Sequence, residues 1–344
     1  MARRIVVHVG APKTGSSAFQ EWAVRNREAL LGAGFLYPAS GATEGGNHAP
    51  LAWALGGMIE DAARVAHLVR SLERELTAHP DHDVILSAET MTSLRYLPNV
   101  TRLYRALAEH GEQVTVVQVV RDQVPWRNSC YAQAREMLTP LPPFREYVAI
   151  GKHGPRGGNW EFLEDRYRRA GFSYEALAFD GELRRKGIVA AMAELPSLAG
   201  IAPLTADSKH EANPSVNDTA LLVAERVRAA IAGPGATVAA GMRPQLMPLI
   251  QRHTRRLPGA SFNGFDEPLA DVIRTAYRTT NQAFARRHFA RDWDDLFPPA
   301  PITHISVDDV TALPEREQRV VRDAAGRIIV DALDAGILQL SPPR

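Results

Sequence analysis

The sequence of 344 residues contains a single cysteine, Cys130. One cysteine excludes an internal disulfide framework and any zinc site built from several thiolates. The charge is nearly balanced, with 40 Lys and Arg against 39 Asp and Glu, so the chain has no general basic field for binding a nucleic acid. Any site for an anion must therefore be local.

Long apolar runs are also absent from the sequence. No window approaches the ~18 apolar residues of a spanning helix, and the apolar run after Met-Ala-Arg-Arg is too short for the core of a signal peptide. These absences predict a cytoplasmic protein without a membrane span. The abundance of Ala, and of Arg over Lys, is typical of a bacterial coding bias.

Short β-branched runs alternate with amphipathic helices through the first half of the chain, a pattern that indicates a parallel sheet. Strands are predicted at 5–9, 84–87, 114–120 and 172–179, with a short extended piece at 35–38. The predicted fold class is α/β: a parallel, doubly wound sheet of about four to five strands, flanked by helices and followed by a mostly helical C-terminal part.

Beyond about residue 200 the strand signals stop, and apolar residues recur at helical spacing. Helices are predicted at 216–232, 243–256, 267–290 and 317–335. The sequence shows no internal repeat and no low-complexity tract. We therefore expect a single domain over 1–344, in which an α/β core at 1–200 carries the functional motifs and 201–344 is a helical extension packed on that core.

The first strand leads into a loop bounded by Gly10 and Gly15, after which Ser16 opens an amphipathic helix. A strand, a glycine-bounded turn and a helix N-terminus together form an anion site, because backbone N–H groups converge there and the helix dipole adds positive potential. The loop has the length of a Walker A motif, but it lacks the lysine after the second glycine and carries Lys13 inside the loop instead. That departure disfavours an ordinary ATP or GTP hydrolase.

A second anion site is predicted where the strand at 114–120 ends. In open α/β sheets, ligands bind at the carboxyl ends of the strands. Arg121 follows this strand directly, and Ser129 lies two turns into the helix that comes next. An arginine fork and a hydroxyl in this arrangement suit one phosphate group.

Together the two motifs resemble those of sulfotransferases that use 3′-phosphoadenosine-5′-phosphosulfate (PAPS). Gly-Ala-Pro-Lys-Thr-Gly-Ser-Ser at 10–17 is similar to the 5′-phosphosulfate loop of that family, and the arginine and serine eight residues apart are similar to its 3′-phosphate motif. Ser87-Ala88-Glu89 and Asn213-Pro214-Ser215 look like features of bacterial members. The resemblance covers residues 4 to about 220 and implies the P-loop-like fold of the family.

The resemblance also implies a role for each residue of these motifs. Lys13 meets the bridging oxygen and the 5′-phosphate, and Arg121 and Ser129 hold the 3′-phosphate. Asn213 and Ser215 belong to a loop that closes over the nucleotide. No metal is implied, because a sulfuryl group carries less charge than a phosphoryl group. The 5′-phosphate would lie in a cradle formed by the backbone N–H groups of Thr14, Gly15, Ser16 and Ser17, with the hydroxyls of Thr14 and the two serines assisting. Pro12 belongs to the same cofactor-binding loop.

An acceptor hydroxyl needs a general base. Members of the family use a histidine or a glutamate, and this sequence offers both. His48 follows a glycine-rich loop at 39–47 that could swing over the phosphosulfate, and Glu89 stands at the end of a strand, where burial would raise its pKa. The structural alternatives are a surface-packed histidine and a carboxylate that caps a helix or pairs with an arginine. We give His48 a slight preference as the base.

The expected activity is transfer of the sulfuryl group from PAPS to a hydroxyl or amine of a small-molecule, glycan or lipid acceptor. The product of the cofactor is adenosine 3′,5′-bisphosphate. The alternatives are a P-loop kinase that acts on a small molecule and a non-catalytic nucleotide-binding protein with a degenerate loop. A kinase requires the Walker lysine, and Ser16 occupies the position of that lysine here.

Overall fold

The structure is a computed structural model, and it describes residues 3–89, 99–150, 158–206, 216–232, 236–239, 242–305, 310 and 313–340. The chain forms two compact units. The first consists of Met1–Gln123, His153–Ala212 and Thr275–Pro299, and the second consists of Val124–Lys152, Asn213–Arg274 and Ala300–Arg344. The chain thus passes back and forth between the units. The expectation of a single domain with a core at 1–200 and an extension at 201–344 stays a prediction.

A five-stranded parallel sheet forms the centre of the first unit, in the order β2-β3-β1-β4-β5. Its strands are β1 (Arg4–His8), β2 (Phe35–Leu36), β3 (Asp83–Ser87), β4 (Gln113–Val120) and β5 (Ser173–Ala178). β1 is the central strand, and its last residue, His8, lies opposite Ser87 on β3 and Val117 on β4. These three strands are buried on both faces, which is why they are almost continuously apolar. The predicted parallel α/β sheet is confirmed.

Helices connect the strands and make up most of the chain beyond residue 200. They are α1 (Ser16–Arg25), α2 (Arg27–Gly32), α3 (Ala49–Leu55), α4 (Ala62–Ala78), α5 (Val100–Ala108), α6 (Gln123–Glu136), α7 (Phe144–Ile150), α8 (Trp160–Ala170), α9 (Gly181–Lys186), α10 (Ile188–Met192), α11 (Asp218–Ala232), α12 (Arg243–Thr254), α13 (Glu267–Phe289), α14 (Trp293–Leu296) and α15 (Glu315–Asp334). A 3₁₀ helix covers Ala199–Leu204. The predicted, mostly helical C-terminal part is confirmed, with α11, α12, α13 and α15 at the predicted places.

Two short strands correct the expectation that strands stop near residue 200. β6 (Ala236–Val238) pairs antiparallel with β7 (Leu338–Leu340) in the second unit. A strand of three residues is too short to show an alternating pattern. Its stability comes from pairing with a distant segment, which periodicity along the chain does not detect.

One face of α1 is buried in the core of the first unit. Phe19 and Ala23 are fully buried and Trp22 is nearly so. Their spacing along the helix forms the apolar stripe of an amphipathic helix. They pack with Val6 and Val117 of the sheet and with residues of α10. This packing fixes the start of α1 at the edge of the sheet.

The second unit is held by helix packing and by an aromatic cluster. α15 packs on α11 and on α12. The cluster brings ring centroids within 4.9–5.7 Å of one another, and its members are Tyr131, Phe144, Tyr147, Phe262 and Phe265. Across the described residues, no helix combines the length and apolar character that are needed to cross a membrane.

A substitution at Gly171, the residue that ends α8, tests the packing of the first unit. It has a φ of 114°, and a Cβ there would lie 2.5 Å from the ring of Tyr104. We expect Gly171→Ala to lower the free energy of unfolding by about 2–5 kcal/mol, because the left-handed backbone costs about 1–2 kcal/mol and overpacking adds about 1–3 kcal/mol. Urea unfolding followed by circular dichroism measures the loss.

Gly34→Ala is the matched control for this substitution. Gly34 has a φ of 85°, but no atom lies within 4 Å of the place of its Cβ. Alanine there carries the backbone cost of about 1–2 kcal/mol alone. Equal losses in the two variants would show that the contact with Tyr104 has no effect.

Candidate functional site

The loop between β1 and α1 starts at the carboxyl end of the central strand. Val9 donates its N–H to the carbonyl of Val117 at 2.8 Å, and Ala11 donates to the carbonyl of Val119 at 3.2 Å. The chain therefore follows β4 for a short distance before it turns at Gly15 into α1. This edge of the sheet is where ligands bind in open α/β folds.

Two residues with a left-handed backbone shape the loop. Lys13 has a φ of 66° and Gly15 a φ of 90°, and a residue other than glycine adopts this conformation at a cost of about 1–2 kcal/mol. The guanidinium Nη1 of Arg121 donates to the carbonyl of Lys13 at 2.8 Å and so helps to hold it. Left-handed residues in such a turn are typical of the concave backbone sites that bind anions.

In the part of the chain that the structure describes, none of the backbone N–H groups from Lys13 to Ser17 donates a hydrogen bond. α1 also begins without a side-chain cap at Gly15. The first N–H groups of a helix have no partner within the helix, so these donors are available to a ligand. A run of free donors at a helix N-terminus favours a phosphate or sulfate group.

The side chains of the loop differ in what they can offer a ligand. Thr14 is fully buried, and its hydroxyl donates to the carbonyl of Ala11 at 2.5 Å. This hydrogen bond stabilises the loop. Because the hydroxyl proton is already used, only the backbone N–H of Thr14 can donate to a phosphate. Ser16 is buried and Ser17 is exposed, while Pro12 is partly exposed.

Glu89 lies next to this loop. It follows β3, and the residue before it, Ala88, donates its N–H to the carbonyl of His8 at 2.9 Å. Burial raises the pKa of the Glu89 carboxyl, while the hydroxyl of Ser16 and the charge of Lys13 act in the opposite direction. A carboxyl with a raised pKa that still faces a cation is suited to general-base catalysis.

The His48 ring is buried and hydrogen-bonded in this structure. Its side chain is 1% exposed, and Nδ1 accepts from the N–H of Ser87 at 3.1 Å while Nε2 donates to the carbonyl of Pro38 at 2.9 Å. Burial lowers its pKa to about 4. In this structure the ring joins Pro38 to β3 through both of its nitrogens, and the role of His48 as the base stays a prediction.

The guanidinium groups of Arg121 and of a second arginine lie against the same aromatic ring. The Cζ of Arg121 lies 5.4 Å from the ring centroid of Phe179, and the Cζ of Arg184 on α9 lies 5.2 Å from the same centroid. Two guanidinium groups therefore gather where β4 and β5 end. Sequence spacing does not reveal Arg184, because nothing in the pattern of α9 links it to the strand before Arg121.

The remaining predicted site residues are not part of the group around the loop in the first unit. Ser129 lies on α6 in the second unit, where its hydroxyl donates to the carbonyl of Pro125 at 2.9 Å; its pairing with Arg121 stays a prediction. Asn213 and Ser215 lie outside the described residues. Within the described ranges, no three His, Cys, Asp or Glu side chains come close enough to hold a metal ion. The predicted residues that the structure brings together in the first unit are Pro12, Lys13, Thr14, Gly15, Ser16, Ser17, Glu89 and Arg121.

Comparison with known proteins gives one likeness among solved structures. No family model and no curated protein matches the chain. A sulfotransferase from Alicyclobacillus acidocaldarius is similar at 17% sequence identity and a TM-score of 0.40, over 62% of this chain and 88% of that one. The function is therefore inferred below from the contacts of the loop.

Two buried histidines, His8 and His48, make stability depend on pH. Burial lowers the pKa of each to about 4, below the value of about 6.5 that holds in an unfolded chain. The unfolded chain therefore binds more protons between these values, so the stability is complete above about pH 6.5 and falls as the pH drops towards 4. From pH 7 to pH 5 we expect a loss of about 2 kcal/mol for each histidine.

Urea unfolding at these two pH values measures the effect. His48→Gln should lose about 2 kcal/mol less than the wild type over this interval, because the glutamine does not titrate. His67→Gln is the control, since His67 is exposed on α4, and it should keep the wild-type dependence. A wild-type dependence in His48→Gln would show that this ring is not neutral and buried.

Proposed function

We propose that this protein is a sulfotransferase, which transfers the sulfuryl group of PAPS to a hydroxyl or amine of a small-molecule, glycan or lipid acceptor. The observation that carries this proposal is the loop at 10–17. Its N–H groups from Lys13 to Ser17 are free among the described residues. Its lysine stands within the turn, where a 5′-phosphosulfate would meet it, and not at the Walker position.

The residues around the loop fit this cofactor. Gly10 allows the backbone of the loop to lie close to two polar groups, because a Cβ there would lie 2.5 Å from Nε2 of His8 and 2.9 Å from Oγ of Ser16. Arg121 offers a guanidinium for the 3′-phosphate, and Arg184 adds a second positive charge at the same ring. When bound, PAPS supplies an activated sulfuryl group, and the part of the protein is to bind it and align it with the acceptor.

Lys13 and Glu89 have different roles in this proposal. The ammonium of Lys13 neutralises the charge that develops on the leaving phosphate. Glu89 takes the proton of the acceptor, because burial raises its pKa and makes it a stronger base. The nearby charge of Lys13 favours the ionised carboxylate. His48 is not chosen as the base, since both of its nitrogens are engaged by the backbone.

Binding of adenosine 3′,5′-bisphosphate tests the cofactor site. A ligand that binds only the folded state stabilises it by about 2.7 kcal/mol at a hundredfold excess over its Kd. We expect Lys13→Ala and Arg121→Ala to lose most of this stabilisation, because each removes a positive charge from the site. Thermal and urea denaturation with and without the bisphosphate measure it.

Lys186→Ala is the control for these variants. Lys186 lies on α9 and forms ion pairs with Glu182 and Glu194, so its removal should leave the bisphosphate effect unchanged. Stabilisation by ATP–Mg²⁺ without any effect of the bisphosphate would favour the kinase. The absence of both effects would favour a non-catalytic protein.

Turnover separates the two candidate bases. We expect Glu89→Gln to lower kcat by at least about 100-fold, with little change in the affinity for adenosine 3′,5′-bisphosphate, because the amide cannot accept the proton. His48→Gln should lower stability and leave kcat within about tenfold of the wild type. Release of adenosine 3′,5′-bisphosphate from PAPS in the presence of phenol, glycan and lipid acceptors measures turnover. A larger loss of kcat in His48→Gln would reverse the assignment.

A further inference from the structure

The guanidinium of Arg184, on α9, lies against an aromatic ring and forms no ion pair with any described residue. Its Cζ is 5.2 Å from the ring centroid of Phe179, and the residue is exposed. Lys186 on the same helix is, in contrast, paired with Glu182 and Glu194. Because an arginine is always charged in proteins, Arg184 offers a ligand a positive charge that no carboxylate of the described chain neutralises.

Phe179 places this charge at the carboxyl edge of the sheet. Its N–H donates to the carbonyl of Val120 at 2.7 Å, so it lies beside the last residue of β4. The Cζ of Arg121, which follows Val120, is 5.4 Å from the centroid of the same ring. The two guanidinium carbons therefore cannot be farther apart than the sum of their distances to that centroid. Both charges border one small region next to the loop at 10–17, since Arg121 also donates to the carbonyl of Lys13.

The segment that carries Arg184 is itself held against the loop. Asp180 caps α9 by accepting from the N–H of Leu183 at 2.9 Å. After α9 the chain reaches Ile188, which is buried, and a Cβ on Gly15 would lie only 3.2 Å from Cβ of Ile188. α10 begins at Ile188 and packs on α1. Arg184 thus stands on a short helix whose start is capped and whose following residues contact the turn of the loop.

The charge of a phosphate monoester suits two neighbouring arginines. A monoester carries a charge of about −1.5 to −2 at pH 7, whereas one guanidinium supplies a single positive charge. In PAPS the 3′-phosphate is such a monoester, but the 5′-phosphate is also bonded to the sulfate group and carries one negative charge. Two guanidinium groups beside one ring repel each other. A dianion removes this repulsion, and arginine binds phosphate oxygens with two parallel hydrogen bonds.

We propose that Arg184 is a specificity residue of the cofactor site: together with Arg121 it binds the 3′-phosphate, and it makes the site prefer nucleotides with this group over 5′-monophosphates. The identity of the ligand rests on the proposed function, whereas the placement of the two arginines around Phe179 does not. Arg184 belongs to neither of the two motifs that predict the site from the sequence.

Titration calorimetry with two nucleotides tests this role. Adenosine 3′,5′-bisphosphate carries the 3′-phosphate and adenosine 5′-monophosphate lacks it. We expect Arg184→Gln to bind the bisphosphate about tenfold more weakly, because it loses a charge-assisted contact, and to bind the monophosphate within about twofold of the wild type. Arg184→Lys should lose less, since the ammonium keeps the charge without the planar fork. With PAPS as substrate, the KM of Arg184→Gln should rise about tenfold while kcat changes little.

Arg185→Gln is the matched control. Arg185 is the next residue of α9 and is also exposed, and its guanidinium has no ion pair or ring contact within the described ranges. It should bind both nucleotides within about twofold of the wild type. An equal loss of bisphosphate affinity in Arg184→Gln and Arg185→Gln would overturn the proposal, because it would show a general effect of charge. An equal loss for both nucleotides in Arg184→Gln would overturn the assignment to the 3′-phosphate.

The wild-type protein separates a failure of this inference from a failure of the proposed function. A wild type that prefers the bisphosphate, with the same preference in Arg184→Gln, refutes the role of Arg184 alone. A wild type that binds neither nucleotide refutes the proposed function and the role of Arg184 with it. Urea unfolding of each variant verifies that the exposed substitutions leave the fold intact.

Discussion

The site depends on one strained turn of backbone at the end of the central strand. Lys13 adopts a left-handed conformation that costs about 1–2 kcal/mol, so it needs support from its surroundings. The support comes from both sides of the loop: Val9 and Ala11 are hydrogen-bonded to β4, Thr14 is bonded back to Ala11, and Arg121 holds the carbonyl of Lys13. Without these bonds nothing would offset the strain of the left-handed backbone at Lys13. The bonds that brace the loop thus also prepare it for an anion.

The order of the strands explains why Glu89 and Arg121 lie on either side of this turn. In a parallel sheet all carboxyl ends share one edge, and β1 lies between β3 and β4. The residues that follow β3 and β4 are therefore brought beside the loop that follows β1, one from each side. Glu89 follows β3 and Arg121 follows β4, so a carboxylate and a guanidinium border the loop on opposite sides. A different strand order would separate these three segments, even with the same sequence motifs.

Most of this arrangement can be predicted from the sequence, because the signals are local. The buried strands are continuous apolar runs, and the long helices have apolar stripes. The loop at 10–17 contains two glycines and a lysine at the spacing that indicates an anion site. The role of His48 is not predictable in this way, since it depends on the carbonyl of Pro38 and the N–H of Ser87, which come from distant parts of the chain. The same holds for Arg184, which meets Arg121 only through the ring of Phe179, and for the short pair of strands β6 and β7.

Burial has opposite effects on the two kinds of base in this unit, and that difference argues for Glu89. Burial disfavours the charged form of any group. It therefore lowers the pKa of His8 and His48 to about 4 and raises the pKa of Glu89. A histidine with such a low pKa is a weak base near pH 7, whereas a carboxylate becomes a better one as its pKa rises. Lys13 and Ser16 act in the opposite direction and limit the rise of the Glu89 pKa. The environment that makes the histidines structural is thus the one that makes the glutamate suited to accept a proton.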